Sequence, residues 1–107
     1  MTHRREQRRA HRVPIDVTVE FTAKGSPDKT PGVAKDISLG GMFIETALPA
    51  PFGVVVLVGF TLPGQRTPLL VSGTVRWTST NGMGIQFGPL GARETHAINE
   101  VTREFGS

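Results

Sequence analysis

The sequence contains no cysteine, and this absence excludes several kinds of chemistry at once. Without cysteine, a chain cannot form a disulfide, a thiolate zinc site or a cysteine nucleophile. The sequence also has no apolar run near the roughly 18–20 residues of a transmembrane helix, and its first residues lack the apolar core of a secretory signal. We therefore expect a cytoplasmic protein with no membrane partner.

Aromatic residues are scarce as well, since the 107 residues include one tryptophan, six phenylalanines and no tyrosine. The 13 glycines and 8 prolines, by contrast, indicate many turns, and hence short strands rather than long helices. A chain of this length is sufficient for one domain, and the sequence contains no internal repeat.

The positive charge of the chain is concentrated at its beginning. Residues 1–12 contain five arginines and one acid, a formal charge of +4, which leaves seven of the 12 bases and eight of the 9 acids, a formal −1, for the rest. Because like charges repel and little apolar area holds them down, we expect residues 1–12 to form a flexible basic arm. Such runs are also typical of solvated tails and of arms that bind nucleic acid. The five arginines are Arg4, Arg5, Arg8, Arg9 and Arg12.

Alternation of apolar and polar residues predicts six strands, because a period of two sends successive side chains to opposite faces. The first strand alternates without interruption from Val13 to Phe21. The fourth is apolar on both faces and is therefore predicted to be central in the sheet. In the fifth, Trp77 shares a face with Val71 and Val75. The predicted strands cover residues 13–21, 33–37, 41–46, 54–62, 69–77 and 83–87.

Two dipeptides predict tight turns between strands. Pro63-Gly64 suits a type II turn, because proline presets the first central position and glycine accepts positive φ at the second. Asn81-Gly82 is a strong signal for a hairpin. Short connections of this kind favour antiparallel neighbours.

The last part of the chain has the spacing of a helix. Its apolar residues predict a C-terminal helix over about 91–105, with Gly106 as a natural end. Residues 13–107 are thus predicted to form one mainly all-β domain of six antiparallel strands, a small barrel or a strongly curled sheet, with a C-terminal α-helix. The apolar helical positions are Ala97, Ile98, Val101 and Phe105.

The segment KDISLGG, residues 35–41, combines polar and glycine residues in an unusual way. Asp36 and Ser38 are two positions apart, so both side chains would leave the same face of an extended strand. Gly40 and Gly41 allow a tight turn or a close approach of the backbone to a ligand. The alternative is an ordinary turn, because aspartate and serine often bond to nearby backbone and glycine completes such turns.

The arm and this segment together suggest a ligand. Arg8 and Arg12 precede the first strand, while Asp36 and Ser38 follow on the next, which can pair with it. Arginine binds phosphate bidentately, and the same fork matches O6 and N7 of guanine. A carboxylate accepts hydrogen bonds from the ring N–H and amino group of guanine, an edge that adenine lacks. The set suits a small anionic guanine nucleotide.

In this order, the motifs resemble the PilZ domain family. The resemblance rests on R-x-x-x-R before the first strand, on D-x-S-x-x-G after the second, and on the later segments VRW (75–77) and GMGIQF (82–87), which are similar to the closing hairpin of that family. It implies a six-stranded β-barrel that receives cyclic di-GMP, a bacterial second messenger.

The resemblance also implies a role for each matching residue. Arg8 and Arg12 would bind phosphate and guanine. Asp36 and Ser38 would read a guanine edge, and Gly41 would hold the turn.

Three further residues are candidate auxiliary contacts. Arg9 is a candidate for phosphate, and Gly40 for a close approach to the ligand. Trp77 could stack on a base, although an aromatic residue on a strand more often supplies buried core area. The register of the arginine motif stays open, because Arg4 with Arg8 and Arg5 with Arg9 have the same spacing as Arg8 with Arg12.

The sequence carries no pattern that indicates an enzyme. His3, His11 and His96 are scattered without metal-ligand spacing, and no nucleophile elbow surrounds Ser38. We therefore expect no catalytic residues, no metal and no cofactor other than the ligand cyclic di-GMP.

These features are compatible with three functions. The first is a single-domain cyclic di-GMP receptor, monomer or homodimer, whose arm orders over the barrel and signals to an unidentified downstream protein. The second is a PilZ-like adaptor that binds no nucleotide and acts only through protein contacts. The third is a nucleic-acid binder, which the scarcity of aromatic residues and the near-neutral body disfavour.

Overall fold

The computed structural model describes residues 12–106, in which six strands are followed by one helix. The strands form a closed barrel in the order β1-β2-β3-β6-β5-β4, and every neighbouring pair is antiparallel. The predicted six-stranded antiparallel barrel with a C-terminal helix is confirmed. The elements are β1 (Val13–Ala23), β2 (Thr30–Ile37), β3 (Gly41–Glu45), β4 (Val55–Phe60), β5 (Leu69–Ser79), β6 (Gly82–Phe87) and α1 (Ala92–Gly106).

The core of the barrel follows the alternation of the sequence. On β1 the side chains of Val13, Val19 and Phe21 are buried, while the polar residues between them face solvent. On β6 the side chains of Met83 and Ile85 point inward in the same way. The interior is therefore filled by side chains from all six strands, as in other small barrels.

Helix α1 packs against the barrel and contacts β1. Ala97, Ile98 and Val101 are buried in the common core, so three of the predicted helical positions face the barrel as expected. The fourth, Phe105, has a side chain outside the described part of the structure. Within residues 12–106, no helix is long and apolar enough to cross a membrane.

The fourth strand is apolar on both faces but buried on one. Val56 and Val58 are buried, whereas Leu57 between them is 45% exposed. The predicted central place does not distinguish β4, because closure gives each of the six strands two neighbours, here β1 and β5.

The two predicted turns have different outcomes. Gly64 has a φ of 79°, and the N–H of Gln65 donates to the carbonyl of Leu62 at 3.0 Å, which is the geometry of the predicted type II turn. The predicted hairpin joins β5 and β6, but its connecting residues are Thr80 and Asn81. Gly82 lies within β6 instead, where a methyl group would contact the ring of Phe43 at 2.5 Å.

Two adjacent glycines, Gly40 in the turn and Gly41 at the start of β3, provide a matched test of how closely β3 approaches β6. A methyl group on Gly41 would collide with the carbonyl oxygen of Ile85 on β6, whereas one on Gly40 would meet only the Ser38 hydroxyl, at 3.6 Å. Neither glycine has a positive φ. We expect Gly41→Ala to lower the free energy of unfolding by roughly 1–3 kcal/mol, as overpacking does.

Gly40→Ala is the control, and its expected effect is within about 0.5 kcal/mol, as is usual for an exposed position. Urea denaturation of both variants and the wild type measures the difference. Equal effects of the two substitutions would contradict the steric explanation.

Candidate ligand-binding site

A row of paired residues crosses five strands on the outer surface of the barrel. From β1 to β5 the row reads Pro14, Asp36, Phe43, Gly84 and Trp77, each paired with the next. Directly paired residues of antiparallel strands have side chains on the same face and close together. The row therefore brings a carboxylate and two aromatic rings to one surface, although they are far apart in the sequence.

Asp36 is held by two hydrogen bonds. Its Oδ1 accepts one from Arg12 Nη1 at 2.6 Å and one from the backbone N–H of Phe43 at 3.1 Å. The side chains of Arg12 and Asp36 are 43% and 33% exposed, so their ion pair is partly solvated and contributes at most about 1 kcal/mol to stability. The bond from Phe43 N–H holds the carboxylate of Asp36 against the neighbouring strand β3. The ion pair holds the guanidinium of Arg12 beside that carboxylate.

Ser38 occupies a different environment from Asp36. Strand β2 ends at Ile37, so the two residues do not lie on one extended strand, and the reasoning that put them on a common face was wrong. Ser38 is 1% exposed, and its Oγ accepts a hydrogen bond from the N–H of Gly40 at 3.0 Å. Its own N–H donates to the carbonyl of Gly41 at 2.8 Å. Ser38 thus closes the turn between β2 and β3.

The two glycines of the segment have separate positions. Gly41 is buried and lies against the backbone of β6, where it permits close approach of the strands. Gly40 is exposed on the turn, and its carbonyl accepts a hydrogen bond from Phe87 N–H at 2.8 Å.

Trp77 lies on the outer surface, and its predicted place beside Val71 and Val75 was wrong. The pairing of β5 with β6 shifts between Val75 and Trp77, so β5 contains one extra residue, Arg76. A β-bulge of this kind turns the following side chains to the other face. Trp77 is therefore 51% exposed, whereas Val75 is fully buried.

The ring of Trp77 rests on two neighbours. It stacks with the ring of Phe43, with centroids 5.2 Å apart and planes 14° apart. It also covers Gly84, where a methyl group would lie 2.5 Å from indole Cε2. The glycine between the two aromatic residues lets their rings meet above the sheet.

Two shallow cavities adjoin this tryptophan. One, of about 250 Å³, is lined by the row residues Asp36, Phe43, Gly84 and Trp77 together with Arg12. The other, of about 350 Å³, shares three of these residues and adds a different set of polar groups. The additional lining residues are Ser38, Gly40, Arg76, Ile85 and Gln86.

The structure reaches only part of the predicted arginine motif. Arg12 is the first described residue, whereas Arg8 and Arg9 lie outside the described residues, as does most of the predicted arm. Of the predicted site residues that are described, Arg12, Asp36, Ser38, Gly40 and Trp77 line the two cavities. Among residues 12–106, no group of histidine, aspartate or glutamate side chains is arranged to hold a metal ion.

Sequence reasoning missed three residues of this surface. Phe43 was assigned to a strand without a role, although its outward position in an alternating strand marks it as solvent-facing. Gly84 carries a usable signal, because glycine inside a strand often marks a close approach of another group. Alternation puts Arg76 on the face opposite Val75, but the sequence does not indicate that Trp77 joins it there, since the bulge depends on pairing with β6.

Comparisons with known proteins bear on this fold and surface. The family model described as the PilZ domain matches residues 4–104. Among solved structures, the chain is similar to the PilZ domain of CeSA from a cellulose-synthesizing bacterium, with a TM-score of 0.72 and 17% identity over 91% of this chain and 99% of that one. No curated protein sequence matches the chain significantly.

Two longer proteins share the same fold. The Bacillus subtilis inhibitor of motility (MotI/DgrA) has a TM-score of 0.67 and 15% identity, covering 87% of this chain and 48% of that one. The Borreliella burgdorferi PlzA protein, solved in complex with c-di-GMP, has a TM-score of 0.67 and 17% identity, covering 92% of this chain and 42% of that one. The chain thus spans less than half of either protein, and at these identities the likeness concerns the fold.

The stacked rings are open to a direct test, because Trp77 is the only tryptophan in the chain. Phe43→Ala removes the ring that covers one face of the indole. We expect the fluorescence emission to shift to longer wavelength as water reaches that face. The free energy of unfolding should fall by about 1–3 kcal/mol, of which the aromatic pair contributes about 0.5–1.5 kcal/mol.

Leu70→Ala serves as the control, because Leu70 is exposed on the same strand and lines neither cavity. Its emission spectrum should match that of the wild type. An unshifted spectrum for Phe43→Ala would show that the rings are not stacked in solution.

Proposed function

Because the chain belongs to the PilZ domain family, we propose that it is a receptor for cyclic di-GMP. The observation that carries this proposal is the position of Arg12 against Asp36, beside an exposed tryptophan ring, in one surface cavity. A cation, a fixed carboxylate and an aromatic face are three kinds of group that a guanine nucleotide can use. The complex of PlzA with c-di-GMP supports the ligand class by analogy of fold.

Asp36 is suited to recognise the base. Both of its hydrogen bonds go to Oδ1, so among residues 12–106 its Oδ2 has no hydrogen-bond partner. A carboxylate with an available oxygen can accept from the ring N–H or the amino group of guanine. The bond from Phe43 N–H holds the carboxylate in place before the ligand arrives, which lowers the ordering cost of binding.

Arg12 is suited to exchange partners when the ligand binds. In the structure its guanidinium neutralises Asp36 at 2.6 Å. When the edge of a guanine forms hydrogen bonds with the carboxylate of Asp36, Arg12 becomes available to a ligand phosphate, which it can bind through two parallel hydrogen bonds. Arg8, one four-residue step earlier in the sequence, would supply a second cation for the second phosphate or for guanine. Ser38 and Gly41 contribute by shaping the turn beside these groups.

Trp77 is suited to stack on a base. One face of its ring packs on Phe43 and Gly84, yet the residue remains half exposed. A ring supported from below and open at the side offers a flat apolar surface without a loss of side-chain freedom on binding.

In this proposal, the ordering of residues 1–12 signals to a downstream protein that the ligand is bound. Two ligand phosphates neutralise the arginines of this segment and draw it across the cavity, and this creates a surface that a downstream protein can bind. Binding and signalling need no catalytic group, so the proposal describes a receptor rather than an enzyme. It includes a cytoplasmic location, with which the absence of cysteine is compatible.

Titration calorimetry tests the ligand and the residues together. Cyclic di-GMP should bind the wild type at micromolar concentration, and Arg8→Ala, Arg12→Ala and Asp36→Ala should each weaken binding about ten- to a hundredfold. The reason is that each change removes a charge-assisted contact worth roughly 1.5–3 kcal/mol.

Asp16→Ala is the matched control for the carboxylate, because Asp16 is an exposed acid on β1 whose ion-pair partner is Lys35, at 3.6 Å. It should bind like the wild type. Cyclic di-AMP should bind the wild type more weakly, and Asp36→Ala should narrow the difference between the two ligands. Absence of binding to the folded wild type would favour the second function, an adaptor that acts through protein contacts alone.

A further inference from the structure

Arg76 follows the buried Val75 and lies on the outer surface, and the bulge in β5 brings Trp77 to that same surface. The extra residue at this point leaves Arg76 without a paired residue on β6. Val75 before it is buried, whereas Arg76 and Trp77 are both exposed. In a regular strand consecutive side chains point to opposite faces. The bulge is therefore the reason that a guanidinium and an indole stand next to each other on one face.

The cavity that Arg76 lines has a one-sided charge. Its charged lining residues are Arg12 and Arg76, and its neutral polar lining residues include Ser38 and Gln86. No carboxylate lines this cavity among residues 12–106, since Asp36 lines the neighbouring one. Asp36 compensates the charge of Arg12 from that neighbouring cavity, so Arg76 contributes the positive charge that favours an anion in this recess.

Arg12 and Arg76 differ in how their charge is compensated. Arg12 is paired with Asp36, while the guanidinium of Arg76 has no hydrogen bond or ion pair within the part of the chain that the structure describes. An exposed arginine without a partner is ordinary by itself. Arg76 is distinguished by its place, because it lines the same recess as a second arginine and adjoins the ring proposed to stack on a base.

We propose that Arg76 is a further anion-binding residue of this site, which binds a ligand phosphate in the cavity that it shares with Arg12 and Ser38. The inference rests on the proposed receptor function and adds a residue outside the two sequence motifs. Arg12, Gly84 and Trp77 line both cavities, so the two adjoin, and in this proposal a dinucleotide with one guanine against Asp36 extends a phosphate into the second cavity. The planar fork of arginine matches two phosphate oxygens at once.

Arg76→Ala and Arg66→Ala form a matched pair for the test. Each removes one exposed arginine, but Arg66 lies in the connection between β4 and β5 and lines neither cavity. In calorimetric titration with cyclic di-GMP we expect Arg76→Ala to bind about tenfold more weakly than the wild type, and Arg66→Ala to bind equally well. Arg76→Lys keeps the positive charge but lacks the planar guanidinium fork, so its affinity for cyclic di-GMP should lie between those of Arg76→Ala and Arg66→Ala.

The salt dependence provides a second readout. If Arg76 contacts a phosphate, the affinity of Arg76→Ala should depend less on ionic strength than that of the wild type, because one screened attraction is gone. Equal affinities of Arg76→Ala, Arg66→Ala and the wild type would overturn the inference while leaving the receptor function intact. If the wild type itself does not bind, the receptor function fails and this inference with it. Urea denaturation of each variant verifies that it is folded.

Discussion

One additional residue in β5 determines the chemistry of the outer surface. In the pairing of β5 with β6, Val75 lies opposite Ile85 and Trp77 lies opposite the next residue, Gly84, so Arg76 has no paired residue. Val75 therefore stays buried in the core, while the indole of Trp77 lies on the outside. Without the bulge, the ring would compete for space inside a closed barrel that is already filled. The bulge thus converts a residue that the alternation assigns to the core into one half of an exposed aromatic pair, and places Arg76 beside it.

The second constraint is the absence of side chains at two positions of β6. Gly82 lies under the ring of Phe43, and Gly84 lies under that of Trp77, so both rings cover the backbone of β6. Their stacking holds the rings in one orientation, and Asp36 is held beside them by the N–H of Phe43. The rigid part of the candidate site is therefore built entirely on paired strands, which keep such groups in place better than a loop does.

The sequence was sufficient for the architecture and for part of the site. Strand alternation and helical spacing depend on local pattern, and they predicted all six strands and the helix. The proximity of Arg12 to Asp36 also followed from local reasoning, because β1 and β2 are consecutive and paired. The face of Trp77 could not be predicted, since a bulge arises from the register with another strand. Ser38 was misjudged for a related reason, as the strand ends one residue before it.

The site lies on the wall of the barrel, and this separates binding from folding. The core is filled by side chains that point away from the site, and the ion pair of Arg12 with Asp36 is too solvated to contribute much stability. In the proposed receptor, its role is to position a cation and to be exchanged, at low cost, for a ligand that offers both hydrogen-bond donors and negative charge. A deeply buried pair could not be exchanged in this way, because separating it would leave an uncompensated charge in the interior. Partial exposure, which weakens the pair as a stabilising contact, is therefore what suits it to the proposed exchange.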